Sequence, residues 1–133
     1  MEMILLSLLN QFYEYVSAQG ISKENIDEQK GDGFTLVSFG EEGEKGVIYN
    51  VAIVFYKDDS VEVYIRKNIS DYDEVKVLKA MNSLNAEYKG ATFYVENSIL
   101  SLKSYIKTEG EIDVVLAEMV RNMRIAQSEF INF

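Results

Sequence analysis

Residues 47–67 constrain the fold more than any other stretch of the chain, because they have the pattern of a long β-hairpin. Residues 47–56 are almost all apolar, β-branched or aromatic, which is typical of a strand covered on both faces. Residues 57–60 have the composition of a turn. Residues 61–67 alternate apolar and polar side chains, which predicts a half-solvated antiparallel strand beside the first one.

Helical periodicity predicts three helices around this hairpin. The first helix is followed by Gly20, a residue type that commonly follows a helix end. We interpret this segment as a helix rather than a secretory signal, because polar residues interrupt its apolar stretch. The second covers residues 70–88, with a capping box that starts at Ser70 and with Leu78 on its buried stripe. The third covers residues 112–130. The apolar stripe of the first helix consists of Ile4, Leu5, Leu8, Leu9, Phe12 and Val16.

The remaining stretches complete one antiparallel sheet. Residues 21–30 suit an edge strand or a loop, residues 34–39 suit a strand, and residues 91–96 and 99–106 suit a second hairpin. The predicted order is helix, three or four strands, helix, two strands, helix. This order indicates an α+β fold in which the N-terminal, middle and C-terminal helices pack mainly on one face of the sheet. We expect a single domain over residues 1–133.

Composition restricts the partners that the chain can bind. Thirteen basic and 22 acidic residues give a net charge of −9. This charge disfavours nucleic acid and anionic membrane surfaces as partners, because proteins bind both through clusters of basic residues. A protein partner, or a second copy of the chain, is expected instead. Cysteine is absent, which suits a cytoplasmic protein without disulfides.

No pattern in the sequence indicates a catalytic, cofactor-binding or metal-binding site. The chain has no His and no Cys, so the commonest general base, the thiolate nucleophile and the commonest metal ligands are missing. Carboxylates cluster at residues 41–42, 58–59 and 71–74, but these positions are a loop, a turn and a helix start, where acidic residues are common for structural reasons. A carboxylate-based enzyme is therefore the least favoured interpretation.

Residues 75–94 carry a resemblance to a known family. Residues 81–85 contain an Asn-x-x-Asn pattern on the predicted helix, and residues 89–95 lead into the second hairpin. Together with the order of elements, this resembles the YbjN-type putative sensory transduction regulators and, more broadly, the type III secretion chaperone-like fold. The resemblance implies a small, acidic homodimer, and the secretion chaperones bind extended segments of client proteins. For Asn82 and Asn85, the structural interpretation, in which the amides satisfy main-chain groups at a sheet edge or a turn, is preferred to ligand binding.

We therefore expect a non-enzymatic protein-binding domain of a chaperone-like or regulatory kind. The alternative is an acidic immunity-type protein that neutralises a basic toxin. Tyr64 and Tyr94 lie at strand positions opposite the expected core and are candidate partner-binding residues, because tyrosine offers both an apolar ring and a hydroxyl. Ordinary aromatic strand propensity is the competing explanation of both positions.

The end of the sequence suggests a homodimer interface. Phe130, Ile131 and Phe133 are large apolar residues in a position where most domains are polar. Phe130 continues the stripe of the third helix, whereas Ile131 and Phe133 require cover from elsewhere. That cover is expected from a second copy, and the alternative is that the tail folds back onto its own sheet.

Overall fold

A computed structural model describes residues 7–133 and consists of three helices and six strands. The elements in chain order are α1 (Leu8–Ala18), β1 (Asp27–Gly31), β2 (Phe34–Glu42), β3 (Ile48–Tyr56), β4 (Ser60–Asn68), α2 (Glu74–Glu87), β5 (Thr92–Glu96), β6 (Ile99–Lys107) and α3 (Ile112–Glu129). Short 3-10 turns lie at Lys23–Asn25 and Glu44–Gly46. The predicted α+β class and the predicted order of elements are confirmed.

The six strands form one antiparallel sheet in the order β1-β2-β3-β4-β6-β5. The predicted hairpin of β3 and β4 lies at its centre, with Val51 opposite Ile65 and Ile53 opposite Val63. After β4 the chain passes through α2 to the far edge of the sheet, and β6 then returns to pair with β4 along nine residues of each strand. The stretch expected to be an edge strand or a loop provides the edge strand β1.

All three helices lie on the same face of the sheet. The ring of Phe12 in α1 lies 6.1 Å from that of Phe39 in β2 and 5.8 Å from that of Phe55 in β3. Tyr88, which follows α2, contacts Phe93 in β5 with 5.5 Å between ring centroids. The register places these strand residues on the face that also carries Val51, Ile65 and Leu102, which α3 covers.

The hydrophobic core lies between this face and the helices. Its largest fully buried side chains are Phe12, Val37, Tyr49, Val51, Ile53, Val61, Val63, Ile65, Phe93, Leu100, Leu102 and Phe130. Ile4 and Leu5 of the predicted N-terminal stripe lie outside the described residues.

One prediction about β3 does not hold, since helices cover only one of its two faces. On its other face Ala52 is almost fully buried and Val54 is half-buried, although no helix among residues 7–133 lies over them. Ala52 lies directly opposite Tyr64 of β4 and Ser38 of β2. Side chains of the neighbouring strands therefore surround it laterally, and the apolar composition of β3 does not require a second layer.

Helix α2 also differs from its prediction in two details. It begins after Asp73 rather than after Ser70, because the Asp73 carboxylate accepts a hydrogen bond of 3.2 Å from the backbone N–H of Lys76. Leu78, expected in the buried stripe, is 49% exposed. The helix lies near the edge of the sheet, so it buries only the narrow stripe of Val77, Met81 and Leu84.

Candidate functional site

The face of the sheet opposite the helices is the candidate site, and we call it the open face. It consists of the even-numbered residues of β2 to β5 and the odd-numbered residues of β1 and β6. No helix among residues 7–133 packs against it. A partner can therefore reach its side chains without displacing a helix of the described chain.

Both tyrosines predicted to bind a partner lie on the open face. Tyr64 is on β4 and Tyr94 is on β5, with β6 between the two strands. Tyr64 lies opposite Lys103 of β6, and Tyr94 lies opposite Ser101 two residues away. The structure therefore brings together two residues that are 30 positions apart in sequence, and both are half-buried. Their role in binding stays a prediction.

Sequence reasoning missed three further aromatic residues on the same face. Phe34 and Tyr56 form a pair with 6.4 Å between ring centroids, and Tyr105 is 59% exposed. The alternation within β4 places Glu62 and Tyr64 on one face, but only the register across β4 and β6 places Tyr105 opposite Glu62. No local signal in the sequence specifies that register, because helix α2 separates the two strands along the chain.

Glu62 is the centre of a polar cluster on the open face. Its carboxylate accepts hydrogen bonds from the Tyr56 hydroxyl and, at 2.9 Å, from the Tyr64 hydroxyl. Lys103 completes the cluster with its Nζ atom 3.3 Å from the same carboxylate and 5.9 Å from the centroid of the Tyr64 ring. The cluster thus pairs the negative charge of Glu62 and fixes the orientation of two tyrosines.

The cluster shifts the pKa values of its members away from neutral pH. The hydrogen bond to Glu62 is the main reason that the pKa of Tyr56 is raised to about 12, and burial with the same carboxylate raises the pKa of Tyr64 as well. Burial acts to raise the pKa of Glu62, but the hydrogen bonds from Tyr56, Tyr64 and Lys103 together lower it. At neutral pH the phenols therefore stay protonated and the carboxylate stays ionised.

Two hollows lie at opposite ends of the open face. One, of about 470 Å³, is near the β3–β4 turn and is lined by Tyr56, Ser60 and Glu62. The other, of about 440 Å³, is near the opposite strand ends and is lined by Asn50 and Arg66. In the second hollow the Arg66 Nε donates a hydrogen bond of 2.9 Å to the Asn50 side-chain oxygen. Both hollows are shallow and open to solvent.

Asn85 of α2 pairs with the main chain of the edge strand β5 at Phe93. The Phe93 N–H donates to Asn85 Oδ1 at 2.7 Å, and Asn85 Nδ2 donates to the Phe93 carbonyl at 2.8 Å. The amide thus occupies the place of a neighbouring strand, as the structural interpretation of Asn85 predicts. Asn82 is exposed. This edge is therefore less suited to a partner strand than the open face is to a partner surface.

A cavity of about 500 Å³ lies on the other side of the sheet, between α1 and α3. Gln11 joins the two helices at one end, because its side chain accepts from the N–H of Ile112 at 3.1 Å and donates to the Gly110 carbonyl at 2.7 Å. Farther along, the cavity is lined by core residues such as Phe12 and Met123 and by the exposed Arg124 at its mouth. Its walls are mostly side chains that the hydrophobic core already uses.

The C-terminal residues predicted to form a dimer interface lie mainly against their own chain. Phe130 is fully buried and packs edge-to-face on Phe93 with 6.1 Å between ring centroids, so it belongs to the core rather than to an exposed interface. The buried Lys67 ammonium donates to the Phe130 carbonyl at 2.8 Å and to the Phe133 main-chain oxygen at 2.7 Å. Only Ile131, half-buried, and Phe133, 38% exposed, offer apolar surface to a second copy.

The carboxylate clusters have structural roles in the described chain. Asp58 accepts hydrogen bonds from the backbone N–H of Ser60, at 3.0 Å, and from its hydroxyl, and Asp73 is the N-cap of α2. Within residues 7–133, no group of three or more potential ligand residues has an arrangement suited to a metal ion. In the same range, every helix is too short or too polar to cross a membrane.

Comparisons with known proteins do not assign the chain to a family. Neither the protein-family models, nor the curated proteins, nor the solved structures contain a match to it.

Proposed function

We propose that this chain is a non-enzymatic protein-binding domain, chaperone-like or regulatory, and that the open face is its binding surface. One observation carries the proposal: among residues 7–133, the helices cover a single face of a six-stranded sheet and leave the other face, with its aromatic residues, without a helix over it. Extended surfaces that combine aromatic rings with paired polar groups are typical of protein interfaces.

The size of the open face suits a protein partner. The four central strands have nine residues and span about 30 Å, and the two edge strands have five residues and span about 17 Å. With inter-strand spacings of about 4.8 Å, they give a surface of roughly 600 Å². A standard protein interface buries about 800 Å² on each partner, whereas a small molecule requires an enclosed pocket. The hollows on the open face are too shallow to enclose a ligand, so a partner with a broad surface is favoured.

The electrostatics of the Glu62 cluster disfavour catalysis at this face. A general acid or base works best when its pKa lies near the working pH. Here the pKa of Tyr56 is raised to about 12 and that of Glu62 is lowered, so both groups move away from neutrality. The cluster therefore suits rigid presentation of tyrosine hydroxyls to a partner better than proton transfer. The proposal accordingly includes no cofactor and no metal.

The charge distribution favours a chaperone-like or regulatory role over the immunity-type alternative at this face. An inhibitor of a basic toxin needs a strongly acidic binding surface. On the open face, Glu62 is instead paired with Lys103, and Arg66 lies on the same strand. The resemblance to YbjN-type regulators and to type III secretion chaperones supports the same choice. The net charge of −9 supports a protein partner rather than nucleic acid or a membrane surface. We also propose a cytoplasmic location, which the absence of cysteine suits.

The test is affinity capture from native lysate with matched variants of the chain. The double variant Tyr64→Ala/Tyr94→Ala removes two rings from the open face, and Leu78→Ala removes an exposed apolar side chain from α2 as the control. We expect the double variant to lose at least about nine tenths of the captured partner, because truncated aromatic anchors typically cost more than tenfold in affinity. The control should capture the same amount as the parent chain.

The identity of the captured protein separates the candidate functions. A chaperone-like domain should bind a short synthetic segment of its partner, whereas an immunity-type protein should bind only the folded partner. If the double variant captures the partner as well as the parent chain, the open face is not the binding surface. Turnover of a substrate by the parent chain would contradict the non-enzymatic part of the proposal.

A further inference from the structure

We infer that the open face binds a second copy of this chain, so that two sheets stack face to face in a homodimer. This inference rests on the proposed function, because it names the partner of the same surface. It also relocates the interface that the C-terminal residues suggest, since Phe130 is buried within its own chain.

Charge is the first reason to favour a second copy as the partner. The open face carries four acidic and three basic side chains, so it contributes −1 to a net charge of −9 and leaves −8 elsewhere. Two open faces can therefore meet with little repulsion, whereas the other surfaces of the two copies repel each other. The charged residues of the face are Asp27, Glu42, Glu62, Glu96, Arg66, Lys103 and Lys107.

Area is the second reason. The open face spans roughly 600 Å², which is at the lower end of the area of about 600 to 1,000 Å² that each partner buries in a standard interface. Two twisted sheets can stack about 10 Å apart with their strands roughly 30° from parallel, as in β-sandwiches. A second copy offers a surface of the same size.

Shape is the third reason, because each end of the open face has a hollow with an exposed, largely apolar side chain in its lining. Tyr105 is 59% exposed and lies at the end of β6 near the β3–β4 turn. Ile48 is 60% exposed and lies at the end of β3 farthest from that turn. A two-fold axis parallel to the sheets and perpendicular to the strands brings the Tyr105 end of one copy onto the other copy's hollow around Asn50 and Arg66. The same operation brings each Ile48 end onto the hollow around Tyr56 and Glu62.

The partial exposure of Val54 agrees with this arrangement. Val54 is only half-buried in the single chain, and no helix among residues 7–133 lies over it. A second sheet would supply the cover that the helices do not provide. The dimer would also bury part of the rings of Tyr56 and Tyr64, which are held in place by Glu62.

The test measures mass in solution for the full chain and for four variants. Light scattering on purified protein at about 100 μM should give twice the chain mass of 15.2 kDa for the parent. Tyr105→Glu and Ile48→Glu each place a charge in the proposed interface at a residue exposed in the single chain, so folding should persist. Each should weaken dimerisation at least about thirtyfold and give a mostly monomeric mass at micromolar concentrations. Circular dichroism checks that each variant is folded. If either Tyr105→Glu or Ile48→Glu is unfolded, the mass of the other variant tests the interface.

Leu78→Glu and Phe133→Glu are the matched controls, since both alter exposed apolar residues away from the open face. Both should stay dimeric. The inference is overturned if the parent chain is monomeric at about 100 μM or if Tyr105→Glu and Ile48→Glu both stay dimeric. It is also overturned if the two control variants dissociate as readily as Tyr105→Glu and Ile48→Glu. The two experiments separate this inference from the proposed function. If light scattering shows a monomeric parent chain but Tyr64→Ala/Tyr94→Ala still loses the partner in affinity capture, the second copy is not the partner of the open face and the proposed function stands.

Discussion

Replacing Asn85 with Ala is expected to destabilise the fold by exposing the main chain of β5 at the sheet edge. The two hydrogen bonds between the Asn85 side chain and the main chain of Phe93, at 2.7 and 2.8 Å, both disappear in this variant. Asn82 provides a matched control, because it is the same residue type on the same helix and is exposed.

The magnitude follows from the two lost hydrogen bonds and from helix propensity. Each hydrogen bond contributes about 1 kcal/mol net, so the loss is about 2 kcal/mol. Ala favours a helix interior over Asn by about 0.5 kcal/mol, which acts in both variants. Asn85→Ala should therefore lower the free energy of unfolding by about 1.5 kcal/mol, whereas Asn82→Ala should raise it by about 0.5 kcal/mol. Asn85→Asp keeps the acceptor for the Phe93 N–H but places a carboxylate oxygen against the Phe93 carbonyl, so it should destabilise the fold at least as much as Asn85→Ala.

Urea denaturation followed by circular dichroism measures these differences. The denaturation midpoint should change while the dependence on urea stays constant, because the variants expose the same surface on unfolding. The expected gap between Asn85→Ala and Asn82→Ala is about 2 kcal/mol. A gap below about 0.5 kcal/mol would show that the amide does not stabilise the edge and that our account of Asn85 is wrong.

Three further predictions concern buried and partly buried polar groups. Lys67→Met should lower the free energy of unfolding by about 2 kcal/mol and expose the C-terminal residues to proteolysis, because the ammonium no longer holds two main-chain oxygens of that segment; an unchanged melting temperature and cleavage rate would contradict this. The pKa of Tyr56 is raised from 10.0 to about 12, mainly by its hydrogen bond to Glu62, so the stability that it contributes is complete below pH 10 and lost as pH rises towards 12. Glu62→Gln should move this ionisation back towards pH 10 in an absorbance titration, and an unchanged titration would refute the assignment. Among the described residues, the side-chain oxygen of Asn122 is buried without a hydrogen-bond partner, while the side-chain nitrogen donates to the Ser104 hydroxyl at 2.6 Å. Because an unpaired buried polar group is costly, the double variant Asn122→Leu/Ser104→Ala should match or exceed the parent in thermal stability. A drop of several degrees in its melting temperature would count against that reasoning.

The sequence determined the local elements because their signals lie within a few residues of one another. Alternation in residues 61–67 places Glu62 and Tyr64 on one face of β4, and the turn before it joins β4 to β3. The turn between β5 and β6 is equally local, since Asn97 and Ser98 both have positive φ, at 51° and 63°. These patterns were sufficient to predict the α+β fold and to place Tyr64 and Tyr94 opposite the core.

Only the tertiary structure decided which surfaces are covered and which side chains meet. Phe130 and Leu78 both have the apolar periodicity of buried residues, yet Phe130 is fully buried and Leu78 is 49% exposed, because burial depends on where each helix lies over the sheet. The Glu62 cluster depends on the register of β4 and β6, which are separated by a helix and a strand along the chain. Apolar composition shows that a strand side chain avoids water, but not whether a helix, a neighbouring strand or a second chain provides its cover.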